Sequence, residues 1–326
     1  MNRKPLIIIL GEPFSTFNEI LFKFYKSKLI LSYKRPIVCI GSIDLLQKQM
    51  LKLKYNFKIN EIVINDIKVS KLKNDFINII DVKLKFKKIF DQISFKSNKY
   101  IKKCFDIGLY LLKKKLAYAI VNGPISKKHF LKKKYLGITE YLSKKTKVKK
   151  DGVMLIYNSN LSVSPVTTHV PINDVCKKLN SEKIINNVLE IDLFFKNTLK
   201  KKPFFAILGL NPHCETIKQY SEEESIIKPA IKNLLKKRIN ITGPFSADTF
   251  FSKNNIDKFD VVIGMYHDQV LTPIKTIYNF NAINITLGLP FIRVSPDHGT
   301  NNEMIGKNKS NPNSLFSIIK FFIKIK

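Results

Sequence analysis

Three histidines of this 326-residue chain each follow an apolar run that is typical of a buried strand. His169 comes after LSVSPVTT, His213 after FFAILGLNP, and His267 after VVIGMY. Because ligands gather where the strands of an open α/β sheet end, we expect these imidazoles to converge at one sheet edge. Three protein ligands and one open position are the usual plan of a catalytic divalent-metal site. A metal site is therefore our interpretation, with unrelated structural histidines in polar loops as the alternative.

Two carboxylates lie near these histidines in the sequence. Asp268 directly follows His267, and Asp248 lies in PFSADTF, between the second and the third histidine. A carboxylate beside a metal-bound imidazole orients the ring, and one beside a reacting group accepts or donates a proton. We therefore name Asp248 and Asp268 as catalytic candidates. A helix cap or a turn is the alternative interpretation of Asp248.

Apolar runs alternate with longer helical patterns along the chain. This alternation predicts an α/β protein with largely parallel sheets. The helical patterns lie near residues 43–54, 98–115, 173–198 and 222–237. The predicted strands lie at residues 5–10, 35–40, 117–121, 152–157, 204–210, 260–265 and 283–287. Residues 55–97 are rich in lysine and show only weak strand patterning, whereas the C-terminal LFSIIKFFIKIK predicts an amphipathic closing helix.

The composition limits the class of protein. Four scattered cysteines without a C-x-x-C pair argue against a disulfide framework and fit a reducing cytosol, so we expect a cytoplasmic protein. No stretch approaches the roughly 18–20 apolar residues of a membrane span. The net charge of +32 suggests nucleic-acid binding, but only four of the 57 basic residues are arginine, which nucleic-acid sites favour. We interpret the lysines as solvated faces and expect neither a specific nucleic-acid partner nor a membrane.

Five segments of the chain, taken in order, match one known family. They are NGPISK, LGLNPHCE, GPFSADTF, MYHDQVLTPIK and NITLGLPFIRVSPDHGT. Together they resemble the 4-hydroxythreonine-4-phosphate dehydrogenase family of vitamin B6 biosynthesis, from GEP at Gly11 to the C-terminus. The resemblance implies the fold of the isocitrate and isopropylmalate dehydrogenases, with two α/β/α lobes around a cleft. We expect the first lobe at residues 1–135 with 290–326 and the second at residues 136–289.

The resemblance also implies a reaction and its cofactors. In the family a divalent metal is held by three histidines, which match His169, His213 and His267; zinc is expected first, with magnesium or cobalt as alternatives. NAD or NADP accepts a hydride from 4-phosphohydroxy-L-threonine, and the resulting β-keto acid loses CO2 to leave 3-amino-2-oxopropyl phosphate. The metal binds the reacting alcohol and polarises the ketone that forms. The family further implies a homodimer whose active sites draw residues from both subunits.

Binding residues follow from the same resemblance. The family's substrate-binding positions match Thr139, Lys275, Asn284 and Arg293. Their hydroxyl, ammonium, amide and guanidinium groups suit a phosphate and a carboxylate. The segment that contacts the adenosine part of the cofactor matches DHGTNNEMIGK, with His298, Gly299 and Thr300 as the implied contacts. A glycine in this segment permits a close approach of the backbone to the ligand.

The chain departs from the family pattern at several positions. Ile138 replaces a histidine beside the substrate threonine, and Asn301 and Ile305 replace small residues of the cofactor segment. Glycine-rich runs after GEP and after NPH are replaced by FSTF and CETIKQY. Two alternatives therefore stay open. One is a paralogue that oxidises another phosphorylated hydroxy acid, such as a four-carbon sugar-acid phosphate; the other is a catalytically silent relative or a basic binding protein on the same fold.

Overall fold

The chain divides into two compact α/β units. Unit 1 comprises Met1–Tyr141 with Pro290–Lys324, and unit 2 comprises Leu142–Leu289. The computed structural model describes residues 4–27, 29–64, 67, 72–131, 135, 137–148, 152–215, 220–279 and 281–325. The lobe boundaries expected from the sequence, 1–135 with 290–326 and 136–289, stay a prediction about domains.

The sheet of unit 1 is parallel. Its strands are β1 (Leu6–Ile9), β2 (Ile37–Gly41), β3 (Ile59–Glu61), β4 (Ile77–Asp81), β5 (Ala119–Asn122) and β12 (Ile292–Pro296). They lie in the order β3-β4-β2-β1-β5-β12, and their ladders run parallel. Every residue of β1 and β5 is buried, as expected for strands of a parallel sheet that are covered on both faces. The strands predicted at residues 5–10, 35–40 and 117–121 are thereby confirmed.

Helices alternate with these strands along the chain. They are α1 (Phe17–Lys26), α2 (Leu29–Ser32), α3 (Ile43–Lys52), α4 (Asn98–Lys113), α5 (Ile138–Thr146), which continues into unit 2, and α12 (Asn313–Lys324). Ser42 caps α3, because its hydroxyl accepts a hydrogen bond from the backbone N–H of Leu45 at 3.3 Å. The poorly patterned segment at 55–97 contains β3 and β4, and its residues 65–66 and 68–71 lie outside the described part of the chain.

Unit 2 has a mixed sheet. Its strands are β6 (Val153–Tyr157), β7 (Ser162–Thr167), β8 (Phe205–Leu208), β9 (Ile241–Phe245), β10 (Val261–Tyr266) and β11 (Ile283–Leu287). The order is β11-β6-β7-β10-β8-β9. The pairs β11-β6 and β6-β7 are antiparallel, whereas the remaining pairs are parallel. The expectation of largely parallel sheets therefore holds for unit 1 and for four neighbouring strands of unit 2, but not for its other end.

Unit 2 also contains helices, of which the longer ones contact strands in both the parallel and the antiparallel part of the sheet. The helices are α6 (Val175–Lys178), α7 (Ser181–Phe194), α8 (Lys228–Lys236), α9 (Ala247–Phe250), α10 (Lys253–Ile256) and α11 (His267–Tyr278). Val163 of β7 and Val262 of β10 share a buried cluster with Val270 and Ile274 of α11, which fixes the helix that carries His267. Among the described residues, no helix has both the length and the apolarity needed to span a membrane.

Candidate active site

Three neighbouring strands of unit 2 lead into the three histidines that the sequence singles out. The order β7-β10-β8 places these strands side by side, and both of their ladders are parallel. His169 lies two residues beyond β7, His267 follows β10 directly, and His213 lies five residues beyond β8. Because parallel strands end at the same edge of a sheet, all three histidines follow the carboxyl edge of unit 2.

His169 and His267 form a pair at this edge. Their ring centroids are 5.7 Å apart, and the ring planes are inclined at 36°. The ring of His267 is held by its neighbour in the sequence: Nδ1 lies 2.7 Å from Oδ1 of Asp268, and a carboxylate only accepts, so the imidazole donates. This tautomer leaves the Nε2 lone pair for a metal, which is how carboxylate partners prepare metal-binding histidines.

His213 lies with Asp248 and Ser246. Its Nδ1 is 3.7 Å from Oδ2 of Asp248 and 3.5 Å from Oγ of Ser246. The Ser246 hydroxyl donates to Oδ1 of Asp248 at 2.7 Å and holds the pKa of that carboxyl below its usual range, an effect that a charged His213 reinforces. Asp248 lies in the first turn of α9, so it belongs both to a helix start and to the surroundings of His213.

Two of the three histidines have an unusual backbone conformation. The φ angle is 51° at His169 and 56° at His213, and Cys214 follows with 60°. A non-glycine residue in this left-handed region costs on the order of 1–3 kcal/mol, and it persists only where its surroundings enforce it. Such residues cluster at ligand sites. The strain therefore supports a functional interpretation of the two loops.

The histidines fit a metal by their chemistry, although they are not assembled around one point. Within the described part of the chain, no three His, Cys, Asp or Glu side chains form a group that could hold a metal ion. The structure brings His169 and His267 together, whereas His213 contacts Asp248. Three imidazoles, two of them next to carboxylates, are nevertheless a donor set that zinc accepts. Metal binding by all three stays a prediction, and it requires His213 to join the pair.

A buried carboxylate holds the loop that carries His213. Glu223 is fully buried, and its side chain accepts hydrogen bonds from the backbone N–H groups of Leu210 and Asn211 and from the Asn211 amide, each at 2.8 Å. Burial alone would raise the pKa of Glu223, but the hydrogen bonds from Asn211 and Leu210 hold it below its usual value. This residue could not be found from the sequence, because nothing in the run Glu222–Glu224 marks one of three acidic residues as buried.

The two predicted substrate-binding residues of unit 2, Lys275 and Asn284, lie on separate elements. Lys275 is an exposed residue in the last turn of α11. Asn284 is the second residue of β11 and is half-buried. Its Oδ1 is buried without a hydrogen-bond partner among the described residues. A buried, unsatisfied amide oxygen is costly, so a donor such as a ligand hydroxyl or ammonium group fits this position.

In unit 1, the buried Arg293 lies within range of the charge of Glu140. This arginine of β12 is 2% exposed, and its Nε donates to Oδ1 of Asn122 at 2.7 Å. Burial lowers the pKa of Arg293 to about 9, and the charge of Glu140 opposes that shift. Burial also lowers the pKa of Lys127, again opposed by Glu140. The charge of Glu140 thus affects both cations, and Thr139 precedes that carboxylate in α5. Two positive charges outweigh one negative charge, so an anion suits these side chains.

The predicted cofactor segment follows β12 directly. The backbone oxygen of Thr300 accepts from the N–H of Thr16, which precedes α1, at 3.3 Å. Nδ1 of His298 lies 2.9 Å from the backbone oxygen of Gly299. A Cβ added at Gly299 would meet none of the described atoms within 4 Å, so the protein itself leaves room there. The binding of the cofactor by His298, Gly299 and Thr300 stays a prediction.

Comparison with known proteins identifies a family over most of the chain. The profile of the family described as "Pyridoxal phosphate biosynthetic protein PdxA" matches residues 32–321. The chain belongs to this PdxA family. Its curated relatives share the name of a dehydrogenase, and the chain is accordingly an oxidoreductase of pyridoxal phosphate biosynthesis.

Individual relatives of the PdxA family agree with the fold. A 4-hydroxythreonine-4-phosphate dehydrogenase from Sulfurihydrogenibium sp. (strain YO3AOP1) is 38% identical over 328 residues, which cover 98% of each chain. A D-threonate 4-phosphate dehydrogenase from Pectobacterium atrosepticum is 32% identical over 64% of each chain. The structure of the 4-hydroxythreonine-4-phosphate dehydrogenase from Klebsiella pneumoniae matches with a TM-score of 0.82 and 27% identity, covering 98% of this chain and 99% of that one.

The α/β fold class of the isocitrate dehydrogenase type, which the resemblance implies, is confirmed. The isocitrate dehydrogenase from Methylococcus capsulatus matches with a TM-score of 0.51 at 8% identity, covering 98% of this chain and 84% of that one. At this identity the likeness concerns the fold alone. The chain therefore combines the PdxA family's sequence signature with the wider isocitrate dehydrogenase architecture.

The structure shows the surroundings of several residues that depart from the PdxA pattern. Where the family has a glycine-rich run after GEP, Phe14 packs with Leu45 and Ile93, and Phe17 is fully buried. The ring of Phe17 lies against Gly123, where a Cβ would come within 2.6 Å of it. Two aromatic side chains are thus packed into the core at this turn. Ile138 is the half-buried first residue of α5, and residues 216–219 of CETIKQY lie outside the described part of the chain.

Proposed function

We propose that the chain oxidises 4-phosphohydroxy-L-threonine with NAD or NADP and a divalent metal, zinc first. Oxidation of the secondary alcohol gives a β-keto acid, which loses CO2 to leave 3-amino-2-oxopropyl phosphate. The proposal depends on the membership of the chain in the PdxA family. The position of one histidine after each of three adjacent strands of unit 2 agrees with it. A cytoplasmic homodimer completes the proposal, supported by the cysteine usage and by the resemblance.

His169, His213 and His267 are the proposed metal ligands. A divalent ion bound there supplies a Lewis acid for the alcohol and ketone oxygen. The protein orients these imidazoles: a carboxylate beside Nδ1 leaves the lone pair of Nε2 for the metal. Asp268 does this for His267 at 2.7 Å. The enforced left-handed backbone at His169 and His213 fixes the direction in which those two side chains leave the chain.

Asp248 and Asp268 are the proposed proton acceptors. Oxidation of the secondary alcohol would remove a hydride, which a bound nicotinamide cofactor would accept, and the hydroxyl proton would pass to a base of the protein. Both carboxylates adjoin a predicted metal ligand, and the pKa of Asp248 is held low by the Ser246 hydroxyl, so it is ionised at neutral pH. An ionised carboxylate at this place also compensates the positive charge of the metal site.

The anionic ends of the substrate are assigned to cationic and polar groups. Arg293 and Lys127 provide the positive charge in unit 1, with Thr139 as a hydroxyl donor. In unit 2, Lys275 is a further cation, and the unsatisfied Oδ1 of Asn284 suits the ammonium or hydroxyl of the substrate. His298, Gly299 and Thr300 are assigned to the adenosine part of the nicotinamide cofactor.

A second candidate substrate is D-threonate 4-phosphate. It carries a hydroxyl where 4-phosphohydroxy-L-threonine carries an ammonium group, and both have a 4-phosphate. Two observations favour it: the relative named for this substrate is 32% identical to the chain over 211 residues, and Ile138 replaces the histidine that the B6-pathway pattern expects.

Steady-state turnover of both substrates decides between the candidates. We expect NAD reduction with 4-phosphohydroxy-L-threonine, equimolar CO2 release, loss of activity with a chelator and recovery with zinc. A higher kcat/KM for D-threonate 4-phosphate would assign the chain to the second substrate. Absence of turnover with both substrates, with NAD or NADP and with each of zinc, magnesium and cobalt, would identify a catalytically silent relative.

A further inference from the structure

A side-chain amide bridges two strand ends at the carboxyl edge of unit 2. In the β10-β8 ladder Val261 pairs with Phe205 and Ile263 pairs with Ile207, where the pairing ends. The same register would next bring Met265 opposite Gly209. Instead, Gln269 lies between them: its Oε1 accepts from the Met265 N–H at 2.7 Å, and its Nε2 donates to the Gly209 oxygen at 2.7 Å. The amide thus replaces one link of the ladder.

The bridge is buried and closely fitted. Gln269 is 9% exposed, and the two backbone groups define which end of its amide is oxygen and which is nitrogen. Gly264 makes room for it, because a Cβ there would lie 3.0 Å from Oε1 of Gln269 and 2.4 Å from a methyl group of Val270. A buried amide with both ends satisfied holds its partners at a separation that its own length sets.

The end of β10 is fixed on its other side as well. The backbone oxygen of Met265 accepts a hydrogen bond from the hydroxyl of Thr167 in β7 at 2.7 Å, and Tyr266 pairs with Thr167. Met265 is therefore joined to β7 through its oxygen and to the Gly209 strand end through its nitrogen. The chain continues from these three strand ends into His169, His213 and His267.

We propose that Gln269 is a positioning residue of the metal site. Its amide sets the spacing between the strand ends from which His267 and His213 extend, and so the distance across which both can reach one ion. The proposal rests on the proposed function, since it takes these histidines as metal ligands. A purely structural Gln269 would stabilise the sheet edge without any specific effect on metal affinity.

Asn187 provides a matched control for this distinction. Its buried amide also makes two hydrogen bonds within unit 2: Oδ1 accepts from Ser164 Oγ at 3.0 Å, and Nδ2 donates to the Pro165 oxygen at 3.4 Å. It is 5% exposed, and its partners Ser164 and Pro165 lie in the middle of β7, before the strand end. Asn187→Leu and Gln269→Met therefore remove similar interactions, but only the second affects the link between β10 and β8.

The experiment measures zinc affinity of the full-length, metal-free protein by competition with a chromophoric chelator. We expect Gln269→Met to weaken zinc binding about 10- to 100-fold, as losses of supporting hydrogen bonds around metal ligands do. Gln269→Asn keeps the amide but is one methylene too short to span both partners, so we expect a similar loss. Asn187→Leu should change zinc affinity less than threefold, even if it lowers the free energy of unfolding as much as the Gln269 substitutions do.

Hydrogen exchange supplies a readout that needs no metal. Amides of residues 209–215 should exchange faster in both Gln269 variants and at the native rate in Asn187→Leu. If the Gln269 variants bind zinc as the native protein does, or no more weakly than Asn187→Leu, the positioning role is wrong while the proposed function stands. If the native protein itself binds no zinc, nickel or cobalt, the metal site fails and this inference fails with it.

Discussion

The imidazole rings of His169 and His267 lie 5.7 Å apart at the ends of two hydrogen-bonded parallel strands. The register that pairs Thr167 with Tyr266 brings them together, because each histidine follows its strand within two residues. This pair is the part of the predicted metal site that the fold itself assembles. The third histidine, His213, depends on a separate loop, which the buried Glu223 holds through Leu210 and Asn211.

Replacing His213 by alanine should remove most of the bound zinc and the activity while leaving the fold intact. The side chain is 72% exposed, so its loss costs little core packing, whereas a three-histidine site loses one ligand. Zinc stoichiometry of the purified variant and its free energy of unfolding are the measurements. His129→Ala, a histidine in unit 1, is the control and should keep full zinc occupancy; full occupancy and normal turnover of the His213 variant would exclude this residue from the site.

Replacing Glu223 by glutamine should destabilise the protein by about 1–3 kcal/mol at pH 7, because buried N–H donors lose a charged acceptor. The folded-state pKa of Glu223 is lowered from 4.5, so its contribution is complete above that value and is lost as the pH falls through the folded pKa. Denaturant unfolding of both proteins between pH 7 and pH 3 should show the difference shrinking below about pH 4.5.

Glu224 is the control for this experiment. It belongs to the same acidic run, but its side chain is 64% exposed and pairs with Lys228 at the surface. Glu224→Gln should change the unfolding free energy by less than about 0.5 kcal/mol. Equal effects of the two substitutions at pH 7 would contradict the assigned role of Glu223.

Replacing Ile138 by histidine should lower KM for 4-phosphohydroxy-L-threonine roughly ten- to a hundred-fold. The new imidazole adds a charge-assisted hydrogen bond to the phosphate, worth on the order of 1.5–3 kcal/mol, at a distance from the reacting carbon. Steady-state kinetics should show a smaller change in kcat, and zinc affinity should not change. An unchanged or higher KM would show that the pocket is built around isoleucine, which favours D-threonate 4-phosphate as the substrate.

Replacing Arg293 by lysine should raise KM at least about tenfold. Lysine cannot keep the Nε bond to Asn122 and present a planar pair of donors to an anion at the same time. Arg238→Lys, at an exposed position, is the control and should leave both kinetic constants unchanged. A native KM for the Arg293 variant would remove Arg293 from the substrate site.

Several elements could be predicted from the sequence because their causes are local. The apolar runs of β1, β5 and β10 are continuous, and the helices predicted at 43–54 and 98–115 correspond to α3 and α4 within two residues. The helix predicted at 173–198 is instead divided into α6 and α7, and α8 begins six residues after the predicted start at 222. The antiparallel end of unit 2 was missed, although β6 and β7 are separated by only residues 158–161, a link too short for a parallel crossover. β12 was missed because it is short, contains the charged Arg293 and the polar Ser295, and lies between Pro290 and its own last residue, Pro296.

The sequence by itself determined the α/β class, some of the helices, the family and the three histidines with their two carboxylates, since each depends on residue types and short spacings. The tertiary structure decided which histidines meet and what holds them. Glu223 and Gln269 have no distinguishing local pattern, because their hydrogen-bond partners lie on other segments: Glu223 binds Leu210 and Asn211, and Gln269 binds Gly209. Only the folding of the sheet buries these side chains beside backbone groups that would otherwise be unsatisfied, and that burial makes them specific.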